Sequence, residues 1–184
     1  MTRIVAGSLG GRRITVPPRG TRPTSERVRE AMFSAVEARM ELAGARVLDC
    51  YAGSGALGIE AISRGAGHVL FVESSRTAAA VLSRNLRALG GGVGEVRATP
   101  VEALAALPAP AGYDLVLADP PYALADESLT GVLASLAGNG WLAAGALLVV
   151  ERPARTAEPA WPAGVEPITT RRYGDTLVCY GRRP

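Results

Sequence analysis

The feature that most constrains this chain is a repeated alternation. Short, nearly all-apolar runs are each followed by a stretch with helical spacing. The runs "ARVLDC" (45–50), "HVLFVE" (68–73), "VGEVRA" (93–98), "YDLVLAD" (113–119) and "GALLVVE" (145–151) read as strands. Between them, "ALGIEAISRG", "SSRTAAAVLSRNLRALG", "VEALAAL" and residues 126–137 read as helices. Strands apolar on both faces and separated by helices require a mainly parallel sheet covered on both sides. The end of the chain changes rhythm: "VEPITTRRYGDTLVCYGR" reads as two strands around a Tyr-Gly-Asp turn, an antiparallel hairpin at a sheet edge. At the start, "RIVAGSLGGRRITV" (3–16) reads as a small β-hairpin around a Gly-rich turn, and "PPRGTRP" after it as irregular. Thr24 or Ser25 then caps a helix running to about residue 42. The expected division is a basic extension over 1–23 and an α/β body over 24–184.

Charge is unevenly placed. Residues 1–30 carry seven arginines and two glutamates, whereas the rest of the chain sums to −2, and there is no lysine. A basic end on a near-neutral body points to a polyanionic partner, since phosphate contacts supply affinity for nucleic acid. Cys50, Cys179 and the single histidine, His68, lie in or beside strands among apolar neighbours and do not form a metal-binding pattern. No apolar run approaches the roughly 18 residues of a membrane helix, and a cytoplasmic location is expected.

Two motifs carry chemistry. In "VLDCYAGSGALGIE", Asp49 ends a strand and Gly53 and Gly55 precede a helix. Glycines permit close approach of a ligand, and the helix start offers free N–H groups. The spacing is neither that of a dinucleotide fingerprint nor that of a phosphate loop. A carboxylate just before the loop suits a cationic or zwitterionic ligand, such as the amino-acid end of S-adenosylmethionine. Glu73 closes the next strand, where an acid can accept both hydroxyls of a ribose. The third strand end offers Thr99 as a candidate adenine contact, with Val101 as apolar support. Helix capping and tight turning are the plain structural alternatives for these residues.

The second motif is "DPPY", Asp119, Pro120, Pro121 and Tyr122, at the end of the fourth strand. The prolines force the chain out of the sheet and hold it rigid. An exocyclic amine on a base is a poor nucleophile with two hydrogens. The Asp119 carboxylate and the Pro120 carbonyl can each accept one, which aims the nitrogen lone pair. Tyr122 can stack on the base. This set does not distinguish guanine from adenine, so an adenine-N6 DNA methyltransferase stays open as an alternative. A non-catalytic RNA-binding assembly factor is a second one.

The segments "RIVAGSLGGRRITVP", "RPTSERVREAMFSAV", "VLDCYAGSGALGIEAISRGA", "DPPY" and "YGDT" together resemble the bacterial 16S ribosomal RNA guanine-N2 methyltransferases that modify guanine 966. That resemblance covers nearly the whole chain. It implies a Rossmann-like methyltransferase fold with a mainly parallel seven-stranded sheet, S-adenosylmethionine as cofactor without a metal, and 16S RNA in the small ribosomal subunit as partner, met by a monomer. It puts the glycine-loop role on Gly53 and Gly55, the ribose acid on Glu73, and catalysis on Asp119 through Tyr122. With the reading of the residues themselves, the expected cofactor-binding set is Asp49, Tyr51, Gly53, Ser54, Gly55, Glu73 and Thr99. Arg3, Arg12, Arg13, Arg19, Arg22, Thr24, Arg27 and Arg29 would meet RNA. The chain departs from the family pattern at Tyr51, where phenylalanine is common, and at Thr99-Pro100, where an acid or amide followed by alanine is frequent.

Overall fold

The computed structural model describes residues 1–18 and 24–184. A two-stranded hairpin, β1 (Thr2–Arg3) and β2 (Arg13–Ile14), precedes the body. Helix α1 (Glu26–Glu37) is followed by β3 (Arg46–Cys50), α2 (Ala56–Ser63), β4 (His68–Val72), α3 (Arg76–Leu89), β5 (Gly94–Arg97), α4 (Val101–Ala105), β6 (Tyr113–Ala118), α5 (Asp126–Gly138), β7 (Leu142–Pro153), β8 (Glu166–Tyr173) and β9 (Thr176–Arg182). The seven-stranded sheet runs β5-β4-β3-β6-β7-β9-β8. Strands β3 to β7 are mutually parallel, and β9 pairs antiparallel with both β7 and β8. The expected layout, with a C-terminal hairpin at one edge, is therefore the observed one.

Side chains alternate between the two faces of the sheet, as the strand period requires. Val47, Leu115, Leu117, Leu147 and Val149 join one core with residues of α1, α2 and α3. Leu48, Cys50, Val116, Ala118, Leu148 and Val150 join the other with residues of α4 and α5. Caps fix the helix starts: the Ser25 hydroxyl accepts from Val28 N, and the Ser75 hydroxyl from Ala78 N. Gly90, in the left-handed region, ends α3.

Three boundaries differ from the sequence expectation. Helix α1 stops at Glu37, because the chain turns after Ala38 and delivers Leu42 to the core separately. Strand β7 begins three residues early, because Leu142 pairs with Tyr113 before a register shift. The N-terminal strands pair over only two residues each. Between them the chain folds onto the end of α2, where Ser8 N donates to the Ser63 carbonyl (2.8 Å) and Leu9 N to the Ser63 hydroxyl (2.9 Å). Gly7 is required there, since a Cβ would lie 1.9 Å from the Ser63 carbonyl oxygen.

The hairpin is joined to the body through both apolar and charged contacts. Ile4 and Ile14 are buried in the core under α1 and α2. Glu60, buried on α2, accepts from Val5 N (2.9 Å) and Ala6 N (3.0 Å). It also pairs with Arg29 (3.5 Å) and Arg64 (3.0 Å). Removing one member of such a buried network leaves the opposite charge without compensation. Glu60→Gln is expected to lower unfolding free energy by about 3 kcal/mol or more, measured by urea denaturation.

Candidate active site

The C-terminal ends of the parallel strands open onto a cavity of about 870 Å³. Its walls come from the loop after β3, the segment joining β4 to α3, the start of α4, the turn after β6, and residues Pro17, Pro18 and Thr24 of the N-terminal region. Four carboxylates line it, Asp49, Glu73, Glu102 and Asp119, and no basic side chain does so among the described residues. Such a lining opposes a polyphosphate and favours a cation.

Asp49 sits at the end of β3 on the α2 face, fully buried, and its Oδ2 accepts from Gly58 N (2.9 Å). Burial pushes its carboxyl up to about 7; the Gly58 N–H opposes this and the Glu73 charge adds to it. Glu73, just past β4, is tied to the backbone on both oxygens, with Gly53 N donating to Oε2 and Ser75 N to Oε1, both at 2.8 Å. The loop between β3 and α2 is strained. Tyr51 has φ +59°, a left-handed conformation that costs a non-glycine residue on the order of 1 kcal/mol or more. Its hydroxyl lies 3.5 Å from Glu102. Gly55 at the start of α2 has no side chain to cap the helix; Asp49 takes the Gly58 N–H of its first turn.

Asp119 follows β6 and is half-buried at the cavity wall. Ala118 registers with Val150, so Asp119 and Glu151 are the next residues on neighbouring strands and share a face. The Thr24 hydroxyl joins them, 3.2 Å from Asp119 Oδ2 and 2.7 Å from Glu151 Oε2. Burial, and then the Glu151 charge, hold the Asp119 carboxyl well above the usual carboxylate range. Burial also raises Glu151, opposed by the Thr24 hydroxyl and by the Arg29 guanidinium. Beyond Asp119, Pro120 is buried, whereas Pro121 and Tyr122 are exposed on the rim. Leu124 N closes the turn onto the Pro121 carbonyl (2.9 Å). Arg152, on the opposite face from Glu151, donates to the Leu124 carbonyl and to Asp126, fixing the far end of the turn. The Arg155 guanidinium lies 6.0 Å from the centre of the Tyr122 ring.

The structure brings Asp49, Tyr51, Gly53, Ser54, Glu73, Asp119, Pro120, Pro121 and Tyr122 to one cavity. Other expectations are corrected. Gly55 is not on the wall; its φ is +86° and a Cβ would lie 2.2 Å from Leu82, so it spaces α2 from α3. Thr99 stays off the wall, because the chain turns into α4 and presents Val101 and Glu102 instead. Arg29, expected at an RNA surface, is fully buried against Glu60 and donates to the Thr24 carbonyl (3.4 Å) and to Arg3 O. Thr24 is likewise buried, with its hydroxyl turned to the two acids. Arg3, Arg12, Arg13 and Arg27 are exposed; Arg3 pairs with Glu26 (3.1 Å) and Arg12 donates to the Ala88 carbonyl (3.2 Å). Arg19 and Arg22 lie outside the described residues. Sequence reasoning missed Glu151, Glu102 and Arg152. For Glu151 a signal existed: "GALLVVE" ends in an acid as the other site strands do.

S-adenosylmethionine fits this cavity on the chemistry of its donors. Asp49 and the open start of α2 would hold the charged amino-acid end, Glu73 the ribose hydroxyls, and Val101 the base. The volume is that of a small-molecule site. A parallel-sheet α/β fold with this arrangement is that of an S-adenosylmethionine-dependent methyltransferase. The model of the family described as conserved hypothetical protein 95 matches residues 2–182. Ribosomal RNA small subunit methyltransferase D of Escherichia coli K12 is 38% identical over 165 residues, covering 88% of this chain and 79% of its own. Its Haemophilus influenzae counterpart is 36% identical over 155 residues, covering 81% and 77%. A solved Escherichia coli structure, named as a methyltransferase, superposes with TM-score 0.87 at 31% identity, covering 99% of this chain and 97% of that one. Magnesium protoporphyrin IX methyltransferase of Synechocystis, with TM-score 0.67 and 16% identity over 86% and 79%, shares the fold alone. The chain belongs to the ribosomal RNA small subunit methyltransferase D family.

A cation seated against Asp49 favours its ionised form. Affinity for S-adenosylmethionine is therefore expected to rise from about pH 6 to about pH 8, with a proton released on binding. Asp49→Asn should bind more weakly and lose that pH dependence, as read by calorimetry in buffers of different ionisation enthalpy.

Proposed function

We propose that this protein methylates the exocyclic N2 amine of a guanine in 16S ribosomal RNA, the base at position 966 of the family pattern, in the assembled small subunit. The observation that carries the reaction type is the Asp119–Tyr122 turn on the rim of an acid-lined cavity. The relatives named as small-subunit ribosomal RNA methyltransferases support the choice of polymer. Bound S-adenosylmethionine supplies an electrophilic methyl group. The chain's own residues orient the amine. Asp119, as a carboxylate, accepts one N–H, and the Pro120 carbonyl accepts the other. The lone pair is then held along one line, and the positive charge developing on nitrogen faces Asp119. Tyr122, 43% exposed, offers a ring face on which the extruded base can stack.

The hairpin supports the RNA reading. Arg3, Arg12, Arg13 and Arg27 are exposed on elements anchored through Ile4, Ile14 and Glu60. In this reading residues 1–23 form an RNA-contacting extension, with Arg19 and Arg22 among its phosphate contacts, and the enzyme acts as a cytoplasmic monomer. Phosphate contacts position the target, while the Asp119 turn reads the amine.

Labelled S-adenosylmethionine offered in parallel to naked 16S RNA, assembled small subunits and DNA tests this directly. Label is expected chiefly in assembled subunits. Asp119→Ala should lower kcat by about 100-fold or more while retaining cofactor. Wild-type turnover by that variant would overturn the catalytic assignment, and label confined to DNA would overturn the choice of polymer.

A further inference from the structure

Thr24 stands between two acids, and its hydroxyl has one hydrogen. Its oxygen lies within hydrogen-bond distance of both Asp119 Oδ2 (3.2 Å) and Glu151 Oε2 (2.7 Å). A hydroxyl donates one hydrogen bond and accepts through its lone pairs. With both acids ionised, one carboxylate would face the Thr24 lone pairs, and two buried negative charges would meet across a single oxygen atom. A single proton resolves both conflicts: one carboxyl donates to Thr24 and Thr24 donates to the other. The distances assign the direction. The Glu151 contact is as short as a charge-assisted O–H···O⁻ bond, whereas the Asp119 contact is longer than an ordinary hydroxyl bond.

We infer that Asp119 and Glu151 share one proton through the Thr24 hydroxyl, and that Glu151 thereby governs whether Asp119 is free to accept the amine hydrogens. Glu151 is a positioning residue for Asp119. It does not line the cavity, and its reach to the site is through Thr24. This inference rests on the methyl-transfer reading of the site.

The groups facing the pair come from several elements. Asp49 on β3 adds a third negative charge near Asp119. Arg29 on α1 stabilises Glu151 as an anion and also holds the Thr24 carbonyl. Thr24, just before α1, is the only hydroxyl bonded to either acid among the described residues. In the resting arrangement Glu151 is ionised and Asp119 carries the proton. Activation needs only that the Asp119 proton pass to the Thr24 oxygen while the Thr24 proton passes to Glu151. Two O–H bonds break and two form, no proton leaves the protein, and Asp119 becomes the carboxylate that the amine requires.

The test is a carbon-13 NMR titration of carboxyl-labelled aspartate in the cofactor-free protein, with Asp119 identified by the signal lost in Asp119→Asn. Glu151→Gln keeps the shape and removes the second charge. It is expected to weaken the proton affinity of Asp119 by about tenfold. Thr24→Val removes both the acceptor of the Asp119 proton and the donor to Glu151, and should also weaken that affinity. Thr24→Ser, which keeps the hydroxyl, should titrate as the wild type does. A displaced Thr24→Val beside an unmoved Thr24→Ser is not what general loosening of the site produces. Unchanged Asp119 titration in Glu151→Gln would overturn the inference. If Glu151→Gln does not fold, the Thr24 pair decides: Val displaced and Ser unmoved supports the shared proton, and Val titrating as wild type overturns it. The acid limb of the kcat–pH profile should move with the titration in each variant. The titration uses neither RNA nor cofactor, so its failure is separable from failure of the proposed reaction.

Discussion

A carboxylate drawn out of water resists ionisation, and this sheet sets such groups side by side at or near the ends of three neighbouring parallel strands. Asp49 near the end of β3, Asp119 just past β6 and Glu151 late in β7 lie on the same face, because residues two apart on a strand share a side and the register of the three strands is fixed. Glu73 adds a fourth acid at the next strand end, tied down by two backbone amides. The rest of the site follows from this concentration of negative charge. The cavity between the acids suits a cationic cofactor, and the one acid on the rim beside an exposed aromatic ring suits a polar amine. The strain at Tyr51 and the glycine start of α2 sit in the loop that closes the same cavity.

The N-terminal region is coupled to the site by a second electrostatic system. Glu60 gathers two hairpin amides and two arginines at the junction of α1, α2 and the hairpin. One of those arginines, Arg29, also holds the Thr24 carbonyl, and the Thr24 hydroxyl meets Asp119. A chain of contacts therefore runs from the basic hairpin to the Asp119 turn. The exposed arginines stand on a platform fixed to the body, with Ile4 and Ile14 buried beneath it.

Much of this was legible in the sequence, because period and position suffice for it. Apolar runs separated by helical stretches define a covered parallel sheet, and ligands gather at the C-terminal ends of such strands. Asp49, Glu73 and Asp119 could be placed from that rule alone. The misreadings share a cause: each depends on which residues oppose one another across elements. Arg29 looked like a surface cation in an arginine-rich segment, but helical phase turns it inward onto Glu60, 31 positions later in the chain. Gly55 looked like a ligand-contact glycine, whereas Leu82 on another helix sets its requirement. Thr24 and Glu151 meet across 127 positions, a pairing that only strand order and register reveal. Thr99 was misplaced by the short turn into α4, which advances the wall to Val101 and Glu102.

The central claim is that the Asp119 turn orients the N2 amine of a guanine. It is tested most directly by digesting the methylated product to nucleosides and identifying the modified base by chromatography and mass spectrometry. The account predicts N2-methylguanosine as the labelled product. N6-methyladenosine, or label on a ring nitrogen or carbon, would contradict it.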